Sequence, residues 1–209
     1  MRHAPTNPAP PRPYRGARLA VLLFFVAVAT AAALGGDDAR LLLRYDRPAL
    51  FAGDWWRLAT GHVVHLGWRH LLLNLAGLAV VWAMLGDRYR AVGWVFVTAL
   101  SLSVMSGCFV FFEPQLRWYV GLSGLLHSWY VAGALAMLAD DDRGDRRYAL
   151  VLLALVTAKL IYEQLLGPLP ATAETAGGPV VVNAHLYGAV GGALAAALTA
   201  LWRRRGDSL

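Results

Sequence analysis

The sequence predicts an all-α membrane protein, a bundle of six transmembrane helices with both termini in the cytoplasm. Three observations lead there. The 209-residue chain is 58% hydrophobic and 15% charged, with a mean hydropathy of +0.49, whereas a soluble domain carries about 25% charged residues. Charge-free stretches recur at the length of a bilayer crossing. Basic residues collect on alternate connections.

In chain order, the stretches 19–36, 70–86, 91–112, 118–139 and 180–202 contain no Asp, Glu, Lys or Arg. About 20 helical residues cross the hydrocarbon layer, so each is a candidate span. A sixth run, 148–166, is interrupted only by Lys159 and Glu163. These two share one helical face, so the run reads as a span that turns a charged pair into the bundle. The remainder divides into a basic, Pro-rich tail at 1–18, a membrane domain at 19–202 and a basic tail at 203–209. Within the membrane domain, 37–69 forms a long outer loop, and 167–179, with Pro168, Pro170, Gly177, Gly178 and Pro179, should be irregular.

Charge sets the orientation. With the N-terminus inside, Arg2, Arg12, Arg15 and Arg18, the Arg88/Arg90 pair, Arg143, Arg146 and Arg147, and Arg203, Arg204 and Arg205 face the cytoplasm. Only Arg40, Arg44, Arg47, Arg57, Arg69 and Arg117 face outward, a two-to-one bias toward the inside. The same topology accounts for the net charge of +6 without a nucleic-acid partner. Cys108, the one cysteine, excludes an intrachain disulfide and a cysteine-based zinc site. The basic residues ahead of 19–36 and the small residues at its end also fit a secretory signal, although the run is longer than a signal core.

Chemistry must come from polar groups placed where lipid penalises them. The second, fourth and sixth spans run in the same direction, and their first turns carry His70 and Asn74, Ser123 and His127, and Asn183 and His185. Three helices thus bring these groups to one depth near the outer surface. Ser123 lies between Gly121 and Gly124, where the backbone permits close approach and a helix start offers free N–H groups to an oxyanion. His185 is followed by Gly188 and Gly192, a small-residue face along which another helix can pack. A serine hydroxyl needs such a base to act as a nucleophile. His127, on the same helical face as Ser123, competes for that role, but it points alongside the hydroxyl, so His185 is favoured. His62 and His65 fall in the interfacial loop and have no carboxylate at useful spacing for a metal site with His70.

The segments Gly121-Leu-Ser123-Gly124, Ala184-His185-Leu-Tyr-Gly188 with Gly192, and His70-Leu-Leu-Leu-Asn74 resemble the signature motifs of rhomboid intramembrane serine proteases. Gly53-Asp-Trp-Trp-Arg57 and His65-Leu-Gly-Trp68 resemble the outer loop of that family, and the likeness covers about residues 45–195. The resemblance implies Ser123 as nucleophile and His185 as general base, a dyad without an orienting carboxylate. It also implies an oxyanion hole lined by His70 and Asn74, a lateral amphipathic element in the outer loop, and gating by the fifth helix with the 167–179 segment. Lys159 and Glu163 are then either a structural ion pair or a support for the active site, and the structural reading is preferred.

His127 below the serine and Lys159-Leu-Ile-Tyr-Glu163-Gln164 are similar to rhombosortases, a rhomboid subgroup associated with GlyGly-CTERM tails of exported proteins. Ser128 stands where many relatives carry a small Gly. The resemblance implies a multi-pass protein of the bacterial inner membrane with its active site facing the periplasm. Its partners would be the bilayer and the C-terminal transmembrane tails of substrates, with no metal or cofactor. The alternatives are a general rhomboid protease and a non-catalytic relative that binds transmembrane clients. A transporter is disfavoured, because no inverted repeat is apparent.

Overall fold

The computed structural model describes residues 12–204, so most of the expected tails at 1–18 and 203–209 lies outside the described residues. In chain order it contains α1 (Arg12–Leu34), α2 (Gly36–Leu43), β1 (Tyr45–Asp46), α3 (Arg47–Phe51), α4 (Arg57–Thr60), α5 (Trp68–Leu85) and α6 (Ala91–Phe112). There follow β2 (Trp118–Tyr119), α7 (Ser123–Leu138), α8 (Arg143–Leu166), α9 (Thr172–Ala176) and α10 (Val182–Arg204). Among these, α1, α5, α6, α8 and α10 are long and apolar enough to cross a membrane. Large apolar side chains such as Phe24, Leu72, Val95, Leu155 and Leu194 are exposed on them, as a lipid-facing surface requires.

The fourth stretch departs from expectation. The uncharged run 118–139 is not one helix, because α7 has 16 residues and begins only at Ser123. The preceding residues are held extended: Tyr119 pairs with Tyr45 and Trp118 with Asp46 in a short antiparallel ladder. Gly121 then takes φ 139°, a left-handed region that favours glycine. Its N–H donates to the carbonyl of Gly61 at 3.1 Å. At a rise of 1.5 Å per residue, α7 is about 24 Å long, less than the hydrocarbon thickness. It tolerates this because α5, α6, α8 and α10 pack around it, and Gly124, Leu125, Ser128, Trp129, Ala132 and Met137 are buried. A helix enclosed by protein need not match the bilayer at its ends.

Aromatic packing fixes the centre of the bundle. Trp129 of α7 lies with its ring centroid 5.2 Å from Trp94 of α6 and 5.7 Å from Trp82 of α5. Each buried indole N–H keeps a partner: Trp129 Nε1 donates to Thr98 Oγ1 at 3.0 Å and Trp94 Nε1 to the Gly86 carbonyl at 3.1 Å. Such pairing removes the penalty of burying the polar end of the ring.

Arginines organise the loop end. Arg47 donates to the carbonyls of Phe109 and Val110, each at 3.1 Å, and so caps the last turn of α6. Arg57 is buried, forms an ion pair with Asp54 at 2.8 Å and donates to the carbonyls of Leu41 and Arg44. Helices α2 to α4 thereby form a fixed shelf at the site end, from which Phe51, Trp55 and Trp56 project exposed. At the opposite end, Arg88 joins Asp145 at 2.7 Å and Asp140 at 3.4 Å, tying the α5–α6 turn to α8.

Candidate active site

Ser123 is the first residue of α7. Its position follows from the extended segment before it, since the helix cannot start until the chain has passed Gly121. The first N–H groups of α7 therefore lack intrahelical acceptors and surround the serine. Tyr119, which no sequence motif singles out, donates its hydroxyl to the Gly121 carbonyl at 2.7 Å. Burial pushes this phenol up from its ordinary range, while the Gly124 backbone and the Ser123 side chain oppose the shift. It therefore stays neutral beside the serine.

His185 arrives on α10, and glycine brings it close. A Cβ built on Gly188 would collide with the Gly124 carbonyl, and one on Gly192 with the Ser128 carbonyl. With backbone in contact with backbone, Ser123 Oγ and His185 Nε2 are 2.9 Å apart. Ser128, below them, is buried and hydrogen-bonds to Ser101, so its hydroxyl is satisfied by α6.

Contrary to the expectation of a dyad without a carboxylate, His185 Nδ1 lies 2.9 Å from Glu163 Oε2. The same oxygen accepts from Lys159 Nζ at 2.6 Å. Spacing along one helix made Lys159 and Glu163 partners of each other and could not show a third group. Because α8 packs against both α7 and α10, the carboxylate meets the imidazole as well. Glu163 is buried, its side chain 1% exposed, while that of Lys159 is 29% exposed. A carboxylate only accepts, so the imidazole donates from Nδ1 and presents a bare Nε2 to the serine hydroxyl.

His127 stacks on His185, with centroids 4.3 Å apart and planes at 17°. Its Nδ1 donates to the Ser123 carbonyl at 2.7 Å, so it flanks His185 and makes no bond to the serine hydroxyl. On α5, His70 Nδ1 accepts from the Leu66 N–H at 3.3 Å, which leaves Nε2 as the protonated nitrogen of the neutral ring. Asn74 is buried and donates one amide hydrogen to the His70 carbonyl at 3.0 Å. These groups share a cavity of about 360 Å³ with Ser123, His127 and His185. The 167–179 segment forms part of its wall, and contrary to the irregular reading it contains α9, entered through Ala171 at φ 62°.

A protein-family profile described as Rhomboid domain matches residues 52–202. The chain belongs to the rhomboid family. Membership implies intramembrane serine proteolysis in general. No curated protein matches the chain. The matched stretch runs from within the α2–α4 shelf into the last turn of α10 and includes every site residue described above; α1 lies outside it.

In this rhomboid, His127, Glu163 and His185 each bring a ligand-type atom within 4.8 Å of the others. The stacked rings direct their nitrogen lone pairs along nearly parallel planes, however, and a single tetrahedral ion requires them to converge. Lys159 also occupies the carboxylate oxygen. The triplet is thus a poor metal cage. The remaining loop histidines separate: His65 lies edge-on to His70 with centroids 5.0 Å apart, whereas His62 stacks on Phe109.

Proposed function

We propose that this rhomboid is an intramembrane serine endopeptidase in which Ser123 is the nucleophile and His185 the general base. The observation that carries the reading is the 2.9 Å contact between Ser123 Oγ and His185 Nε2 within the 360 Å³ cavity. In the reaction, Ser123 Oγ attacks the scissile carbonyl while its proton passes to His185 Nε2. The tetrahedral oxyanion is held by the free N–H groups at the start of α7, by His70 Nε2–H and by the second amide hydrogen of Asn74. His185 returns the proton to the leaving amine as the C–N bond breaks. Water, deprotonated by the same imidazole, then releases the acyl group from Ser123.

The substrates on this reading are transmembrane or C-terminal anchor segments, and within that class the GlyGly-CTERM tails cut by rhombosortases. His127 beneath the serine and the Lys159 to Gln164 run in α8 support the narrower choice. The excess of arginine at the Arg88 end supports a cytoplasmic location for that end and both termini, with the chain crossing six times when α7 is counted. The cavity then opens on the periplasmic side of an inner membrane, where water reaches the acyl-enzyme.

A serine-directed fluorophosphonate and a GlyGly-CTERM substrate test both levels. Labelling should depend on Ser123 and His185, and mass spectrometry should find a new C-terminus near the Gly-Gly motif. Labelling with cleavage confined to other membrane proteins leaves a general rhomboid protease. Undiminished labelling of Ser123→Ala refutes the nucleophile assignment.

A further inference from the structure

We propose that Glu163 is the positioning residue of His185, fixing the tautomer and stabilising the imidazolium of the proton-transfer step, with Lys159 as its charge-balancing neighbour. The inference rests on the Ser123–His185 reading and deepens it. Four observations carry it. Glu163 Oε2 stands 2.9 Å from His185 Nδ1, on the side of the ring opposite Ser123. The carboxylate is buried, so its charge acts on the ring with little screening by water. One oxygen serves both His185 and Lys159, which places a negative charge between two donors. Lys159 Nζ is itself 3.4 Å from His185 Nδ1.

That last distance separates a positioning role from a merely structural one. When His185 takes the serine proton it becomes a cation in reach of the Lys159 ammonium. Without Glu163 this arrangement sets two positive charges against each other, and the transition state bears the cost. With Glu163 the three groups carry one negative and two positive charges while the proton is held, and the shared oxygen lies between the cations. The other groups around the ring do not substitute for it: Ser123 supplies the proton, His127 stacks on the ring and already donates to the Ser123 carbonyl, and His70 across the cavity accepts from Leu66. Among the described residues, no other carboxylate lines the cavity.

The distinguishing experiment replaces the ion pair with neutral side chains of similar shape. A buried pair so replaced usually costs little stability. The double variant Lys159→Met/Glu163→Gln should therefore insert and melt in detergent within a few degrees of the parent. If Glu163 only holds helices together, its fluorophosphonate labelling rate and turnover per folded molecule will match the parent, and that result overturns the proposal. If Glu163 positions the base, kcat falls by about 10²–10⁴ with KM changed no more than about threefold, and labelling slows in parallel. Glu163→Gln alone should be slower still, because the ammonium is then unbalanced beside His185, whereas Lys159→Met alone should lose about tenfold or less. A single Glu163→Gln faster than the double variant would overturn the charge-balancing role of Lys159. Ser123→Ala, run beside them, separates the two levels: labelling that survives in it overturns the serine reading itself, while parent-like rates in the double variant with Ser123→Ala silent overturn only the role of Glu163.

Discussion

Gly188 of α10 lies so close to Gly124 of α7 that a Cβ on Gly188 would fall on the Gly124 carbonyl. The reverse contact is also tight, since a Cβ on Gly124 would stand 2.8 Å from the carbonyl oxygen of Ala184 and from Met105 Sδ. The clash is with backbone, so no rotamer change relieves it and the helices must separate. Ser123 and His185 project from these same turns, and their 2.9 Å hydrogen bond has little room to lengthen.

Gly188→Ala should therefore lower the fluorophosphonate labelling rate by about 10²-fold or more, the cost of a misplacement near 1 Å. Overpacking should also destabilise the bundle by about 1–3 kcal/mol. Gly107→Ala in α6 is the control, because a Cβ there meets nothing within 4 Å; it should label like the parent and melt at the same temperature or slightly higher. Equal labelling of the two variants would show that the close approach does not set the geometry of the dyad.

On the proposed mechanism, Asn74→Ala removes a donor to the oxyanion while leaving Ser123 and His185 untouched. Its expected signature is a kcat lower by about 10²–10³ with KM nearly unchanged, as for loss of a group that binds only the transition state. Ser123→Ala should instead fold, insert and leave the substrate uncut. An Asn74→Ala enzyme with parent-like kcat would remove the amide from the oxyanion hole.

Much of this site was legible from motif and direction alone. Ser123, His185, His70 and Asn74 sit in the first turns of α7, α10 and α5, and the cavity gathers all four. Small residues at Gly188 and Gly192 announced the close helix pair. What escaped was contact made by tertiary packing. Nothing in the composition of 118–122 shows that Tyr119 pairs with Tyr45 and delays the helix to Ser123. Likewise, i to i+4 spacing identified Lys159 with Glu163, but His185 reaches that carboxylate from another helix. A run of prolines and glycines suggested an irregular outer segment, yet Thr172–Ala176 lies between them and forms a turn of helix.

Arg57 anchors the shelf over the site. The residue is 7% exposed, and its guanidinium bonds Asp54 as well as the carbonyls of Leu41 and Arg44. Truncating one member of a buried charged network costs about 3–5 kcal/mol, so Arg57→Ala should melt far below the parent in detergent. Arg57→Lys should recover only part of the loss, since one ammonium cannot reproduce the planar fork that reaches three acceptors. Equal melting of Arg57→Lys and parent would show that charge alone suffices.

Acid should loosen the same region. Burial lowers the pKa of His62 to about 4, and burial together with the nearby His70 lowers that of His65 to about 3, with the Val63 backbone opposing in part. Both lie in the loop before α5, outside the spanning helices, and His62 stacks on Phe109 at 5.7 Å. Above pH 6.5, the ordinary value, each ring is neutral whether folded or unfolded and stability does not depend on it. Below that, the unfolded chain binds protons that the folded chain refuses, so stability falls as pH falls, toward pH 4 for His62 and pH 3 for His65. For His62 the loss should reach about 3 kcal/mol near pH 4. His62→Phe keeps a flat ring against Phe109 and deletes the titration, so its melting temperature should decline less than the parent's between pH 7 and pH 4.5. Parallel declines in the two proteins would assign the acid sensitivity to groups other than His62.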